Sequence, residues 1–160
     1  MKNIFLFSSL CFVLGACSTI SKNKSNSESE ETISYTTTRC FGTCPVYTAS
    51  IQPNGVVHFN GIMFTKTEGE KVTKVSRDTY NKISNELKNF RPNTGAIVDN
   101  QDCDDKISDQ QSVNIVWKNK KGVETKLNHY YGCMDDSNKR LTQIIKKLPI
   151  ELGIKNLFIK

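Results

Sequence analysis

Four cysteines constrain this chain more than any other feature. Two lie close together in Cys40-Phe41-Gly42-Thr43-Cys44-Pro45-Val46-Tyr47, and two lie far downstream at Cys103 and Cys133. The remaining two of the six, Cys11 and Cys17, fall in the N-terminal leader region. An even number of cysteines in an exported domain points to disulfides, and four permit three pairings. A bridge needs its α-carbons about 5.5 Å apart. A turn through Gly42, which tolerates positive φ, could deliver that between Cys40 and Cys44. Joining Cys103 to Cys133 would pin a polar loop to a strand end and close a long loop, worth roughly 3 kcal/mol. Cys40–Cys44 with Cys103–Cys133 is the expected pairing; the crossed pairings stay open.

The N-terminus explains why the domain should be exported. Met1-Lys2-Asn3 precedes an apolar run from Ile4 to Leu14, then Gly15-Ala16-Cys17. A positive start, a short apolar core and small residues before a cleavage point form a secretory signal over residues 1–16. The run is too short for a permanent membrane span. Leu14-Gly15-Ala16-Cys17 resembles the bacterial lipobox, which implies cleavage before Cys17 and acylation of it. Two or three acyl chains anchor stably, at about 0.8 kcal/mol per buried methylene. Ser18 rather than Asp follows Cys17, which points to the outer membrane, facing the periplasm. Residues 17–32 are Ser, Asn, Lys and Glu with almost no apolar content, so they read as a flexible tether. Glu28, Glu30 and Glu31 read as a solvated charge run within it.

The formal charge is +6. Lys2 leaves with the signal, and the tether's three glutamates outweigh Lys22 and Lys24, so the remainder stays strongly basic. The lysines are spread out and no nucleic-acid motif accompanies them, so nucleic acid is not an expected partner. A solvated basic surface is the first reading, and attraction to anionic lipid or glycan the second.

Residues 33–160 read as one α+β domain. Residues 33–39, 46–51 and 56–60 are strand-like, the third extending toward Phe64, with a turn at Pro53-Asn54-Gly55. Val72 and Val75 mark residues 70–75 weakly as a strand. Ser76 can cap a helix over residues 77–90, where Tyr80, Ile83, Leu87 and Phe90 recur at helical spacing. Residues 91–110 read as a long polar loop pinned by Cys103. Val113, Ile115 and Trp117, then Val123, Thr125, Leu127 and His129, alternate as a second hairpin. Asp136 or Ser137 can cap a second helix with inner residues Leu141, Ile144, Ile145 and Leu148, stopped or kinked by Pro149. Leu157, Phe158 and Ile159 read as a tail that packs back. The expectation is two layers: an antiparallel sheet of about five strands, hairpin-helix-hairpin-helix in order, with both helices on one face.

The Cys40–Tyr47 stretch resembles a family of uncharacterised bacterial exported proteins and lipoproteins, marked by C-[FY]-G-x-C-P-x-Y followed by a strand and a G-x-V turn. Gly55-Val56-Val57, Gly61, the Asp105 region and Tyr131-Gly132-Cys133 fit the same pattern, over about residues 33–150. Many members keep the first cysteine pair and lack the second, which supports pairing Cys40 with Cys44 and Cys103 with Cys133. The family is a domain of unknown function and brings no catalytic residues.

Cys40-x-x-x-Cys44-Pro45 is similar in spacing to the C-x-x-x-C-P of thioredoxin-fold copper chaperones. Cys40 and Cys44 with His129, or His58, would suit Cu(I). A strand rather than a helix follows, and only Arg39 is near to lower a thiol pKa, so a structural disulfide is favoured. His58 should face solvent, and His129 should be half-buried near the motif. Asp99, Asp102, Asp104 and Asp105 with Asn100 lack calcium-loop spacing and read as an acidic solvated loop. Tyr130-Tyr131 with Phe41 could form an exposed aromatic patch; core packing is the plainer reading. No hydrolase motif is present. The expected function is non-enzymatic binding of an envelope protein or glycan, without cofactor. The alternative is a copper-binding or thiol-redox lipoprotein.

Overall fold

The strands Thr32–Thr37, Val46–Ile51, Val56–Met63, Ser112–Lys118 and Glu124–Tyr130 bury alternate side chains, most of them apolar, and strand pairing brings those side chains onto one face. The computed structural model describes residues 30–100 and 103–158. The signal, Cys17, most of the tether, Asp102 and Ile159 lie outside the described residues. The strands are β1 (Thr32–Thr37), β2 (Val46–Ile51), β3 (Val56–Met63), β4 (Gly69–Lys74), β5 (Ile97–Asp99), β6 (Ser112–Lys118) and β7 (Glu124–Tyr130). They form one sheet in the order β4-β3-β2-β1-β6-β7-β5. Ile33 lies opposite both Ile51 and Trp117, Tyr35 opposite Ala49 and Ile115, and Ile115 opposite Leu127. Val57 and Phe59 continue that face opposite Ile51 and Ala49.

Helix α1 (Arg77–Leu87) buries Tyr80, Ile83 and Leu87, and α2 (Asp136–Glu151) buries Leu141, Ile145 and Leu148. These six join the sheet's apolar residues in a single cluster, so both helices cover the same face. The opposite face is polar, with Ser34, Thr36, Thr48 and Ser50 along its middle. A short third helix, α3 (Lys155–Phe158), returns the chain to the sheet. There Phe158 stacks on Tyr47 at 5.0 Å, and the Thr67 N–H donates to the Leu157 carbonyl at 2.8 Å.

The α+β class expected from the sequence is what the molecule has, but five strands become seven and one pairing is parallel, β5 with β7. Both extra strands are sheet edges. β4 is exposed along most of its length, and all three residues of β5 are exposed. An edge needs no alternating apolar face, so periodicity has little to detect. β3 runs past Gly61 to Met63, and only glycine fits at that position: a Cβ would stand 2.0 Å from the Thr67 carbonyl oxygen. The first helix closes in a tighter 3-10 turn over Lys88–Phe90. The cap of α2 is Asp135, not Asp136 or Ser137; its carboxylate accepts the Asn138 N–H at 3.0 Å. Pro149 does not stop α2, which continues to Glu151 with the proline buried.

The solvated reading of Glu31 is also corrected, while Glu30 keeps an exposed side chain. Glu31 is 3% exposed and its carboxylate takes two hydrogen bonds from Arg91, from Nε at 2.9 Å and Nη2 at 2.8 Å. Its carbonyl accepts the buried Tyr80 hydroxyl at 2.7 Å. Glu30 pairs with Lys120. Composition alone assigns both residues to the tether; Arg91, sixty positions away, draws Glu31 into the domain.

Removing one partner of a buried ion pair strands the other charge. Arg91→Leu is therefore expected to destabilise the protein by about 3 kcal/mol, and Glu31→Gln combined with Arg91→Leu to recover most of that. Urea unfolding of the two variants measures the difference, and equal losses in both would contradict the assignment.

Candidate functional site

The Cys40–Cys44 loop leaves the sheet between β1 and β2 and is held at its feet. Thr37 Oγ1 donates to the Pro45 carbonyl at 2.9 Å and accepts the Tyr47 N–H at 3.0 Å. The Gln111 side-chain amide donates to the carbonyls of both Thr38 and Pro45. Thr38 exchanges bonds with Ser112, N–H to carbonyl and N–H to hydroxyl, each 2.9 Å. Above these feet Cys40 and Cys44 are joined as a disulfide, with α-carbons 5.8 Å apart. Gly42, at φ 145°, supplies the positive-φ corner, and its N–H donates to the Cys40 carbonyl at 3.0 Å. The loop is thus closed covalently at its neck and by hydrogen bonds at its base. Phe41 stands at its tip, 91% exposed.

The motif's last residue works in the opposite direction. Tyr47 is buried, edge-on to Tyr35 at 5.7 Å and stacked on Phe158. Burial raises the pKa of both tyrosines. The motif therefore combines a presented aromatic with a packed one.

The second disulfide, Cys103–Cys133, spans 30 residues and ties the segment after β5 to the end of β7. Beside it lies a cavity of about 340 Å³ lined by Asp99, Asn100, Asp104, Asp105, Asp135 and Asn138. Behind the cavity is His129, fully buried rather than half-buried. Asn100 Nδ2 donates to His129 Nδ1 at 2.9 Å and to Asn138 Oδ1 at 2.6 Å, while its Oδ1 accepts the Tyr130 N–H at 3.1 Å. Nε2 of the neutral ring then carries the proton and donates to Thr142 Oγ1 at 2.7 Å. Asp135 completes the chain, accepting the Asn138 side-chain amide at 2.6 Å. This network joins β7, the segment after β5 and the start of α2. Sequence alone misses Asn100, Asn138 and Thr142 as partners, because no spacing rule links residues 100, 129, 138 and 142.

The copper-type grouping of Cys40, Cys44 and His129 is not brought together. Both sulfurs are bonded to each other, and both imidazole nitrogens are engaged by Asn100 and Thr142. His58 is exposed on the polar face of β3. Asp99, Asp104 and Asp105 do gather with Asn100, joined by Asp135. No group of three or more His, Cys, Asp or Glu among the described residues is arranged to hold a metal ion. The aromatic patch divides. The Tyr130 hydroxyl donates to the Ile107 carbonyl at 2.8 Å and pins that loop. Tyr131 packs edge-on to His129, with Lys146 over its ring. Phe41 alone of the three is presented.

Fold and site together define a small disulfide-stapled α+β domain with an aromatic-tipped loop at one end of its sheet. The chain belongs to the family described as Domain of unknown function (DUF6438), whose model matches residues 31–150. No curated protein matches it.

Burial pushes His129 down to about 4, against the opposing pull of Asn138 and the Asp135 charge. A second proton on Nδ1 would face the Asn100 amide hydrogens. The unfolded chain, with an ordinary imidazole, binds that proton from about pH 6.5 downward. Stability is therefore highest above pH 6.5 and falls as pH drops toward 4, by about 2 kcal/mol from this group. Urea midpoints across that window should lose most of their slope in His129→Gln; an unchanged slope would rule out His129 as its source.

Proposed function

We propose that this protein is a lipid-anchored protein of the bacterial cell envelope, acting as a non-enzymatic binding module whose contact point is the Cys40–Cys44 loop. One observation carries the binding role: a phenylalanine that is 91% exposed sits on a loop held rigid at neck and base. An exposed aromatic costs little conformational entropy on docking when its loop is already ordered, and aromatic anchors dominate binding energy at interfaces. Two disulfides suit an oxidising compartment such as the periplasm. The leader and Cys17 supply the route and the anchor, with the outer membrane as the site and an envelope protein or glycan as the partner. The copper or thiol-redox alternative requires free thiolates and an open imidazole. The disulfide and the Asn100–His129–Thr142 bonds weigh against it.

Two measurements test this reading. Mass spectrometry of the N-terminal peptide should find Cys17 acylated, with the acyl mass absent in Cys17→Ser; an unmodified Cys17 would end the anchor. A photoreactive phenylalanine analogue at position 41 should trap a discrete envelope partner, whereas the same analogue at position 58 should not. Phe41→Ser should abolish the association while shifting stability by less than about 0.5 kcal/mol, as expected of an exposed side chain. Association that survives Phe41→Ser would overturn the loop as contact point.

A further inference from the structure

The edge strand β4 ends the sheet in a pattern that matches itself. Val75 donates its N–H to the Gly55 carbonyl at 2.9 Å, a direct cross-strand bond in the β3–β4 register. Alternation of hydrogen-bonded pairs along an antiparallel ladder then assigns Thr73, Lys71 and Gly69 to the bonds with β3. Glu70, Val72 and Lys74 turn their backbone N–H and C=O groups away from the sheet. Their side chains lie on its open face, opposite Asn60, His58 and Val56. Among the described residues no other element covers them: Glu70, Val72 and Lys74 are exposed, Val72 at 64%. Among the described residues neither Glu70 nor Lys74 makes an ion pair.

We propose that β4 pairs with β4 of a second copy of this chain, antiparallel and centred on Val72, joining two sheets into one. In that register Val72 lies against Val72 of the partner subunit, and each Glu70 faces Lys74 of the other copy. All three pairs use the backbone groups that point outward, and both cross-strand ion pairs fall on one face. Opposite charges directly across a ladder stabilise it, and like charges oppose it. Every other two-fold register loses the Glu70–Lys74 pairs. Centring on Glu70 or Lys74 sets like charges face to face, and centring on Lys71 sets lysine against lysine. Lysines on an exposed edge ordinarily repel any added strand; in the register centred on Val72, Glu70 stands across from each Lys74 and every facing pair uses outward backbone groups. β5, at the other edge, has three residues and no such pattern. The surface is separate from the Cys40–Cys44 loop, so this inference stands or falls independently of that loop's role.

Analytical ultracentrifugation of the full chain in a density-matched detergent tests the pairing. Wild type should sediment as a dimer. Glu70→Lys alone and Lys74→Glu alone should each weaken association about tenfold, and the two together should restore it. Val72→Pro should give a monomer with unchanged circular dichroism, because the N–H it removes makes no bond within the fold. A wild type that remains monomeric at about 100 μM overturns the proposal. So does a dimer indifferent to Val72→Pro, or one that the charge swap fails to restore.

Discussion

The register of β1 is the constraint on which the structure depends. β1 is bonded on both sides, to β2 and to β6, and among the described strands it joins the sheet's two halves. A slip of one residue would turn Ile33 and Tyr35 out of the core and leave Trp117, Ile115 and Ala49 without their opposites. Both ends of the strand are fastened against that slip. At its start the Arg91–Glu31 pair and the Tyr80 hydroxyl hold residue 31 to α1 and the turn after it. At its end Thr37, Thr38, Gln111 and Ser112 lock the strand to β2 and β6. The Cys40–Cys44 loop rises from the second of these locks, so its orientation is inherited from the central strand.

That arrangement explains why chemically suggestive residues do structural work here. His129, Asn100, Asn138 and Asp135 resemble a site when read singly. Together they are a polar seam that fixes the N-terminus of α2 against β7, and the Cys103–Cys133 bridge closes the same junction. A buried polar group costs free energy unless it is bonded, and these are bonded to one another. The imidazole has both nitrogens engaged within the fold, and the Asp135 carboxylate is taken up in capping α2. Exposed by contrast are Phe41 at the tip of one loop and Val72 along one sheet edge.

Residues facing the core were legible in the sequence, because burial imposes a period. Val113, Ile115 and Trp117 announced β6, and Tyr80, Ile83 and Leu87 announced α1, because each must reach the same apolar layer. β4 and β5 were hard to read because a sheet edge imposes no such period. Glu31 was misread for another reason: its burial is decided by an arginine on the far side of α1, and local composition carries no trace of it. The cysteine loop falls between these cases. Its spacing and Gly42 pointed to a closed turn, but the division of labour between exposed Phe41 and buried Tyr47 emerges only once β2 is in register. The polar seam was invisible, since its members come from three segments and share no pattern.

The central claim is that Cys40 and Cys44 form a closed, presenting loop and not a live thiol pair. A peptide mass map of the full chain, alkylated without prior reduction, addresses it directly. The expected result is no alkylated thiol among the four cysteines, with Cys40 linked to Cys44 and Cys103 to Cys133. Alkylation of Cys40 and Cys44 with Cys103–Cys133 intact, or any crossed linkage, would contradict the account and return the loop to thiol chemistry.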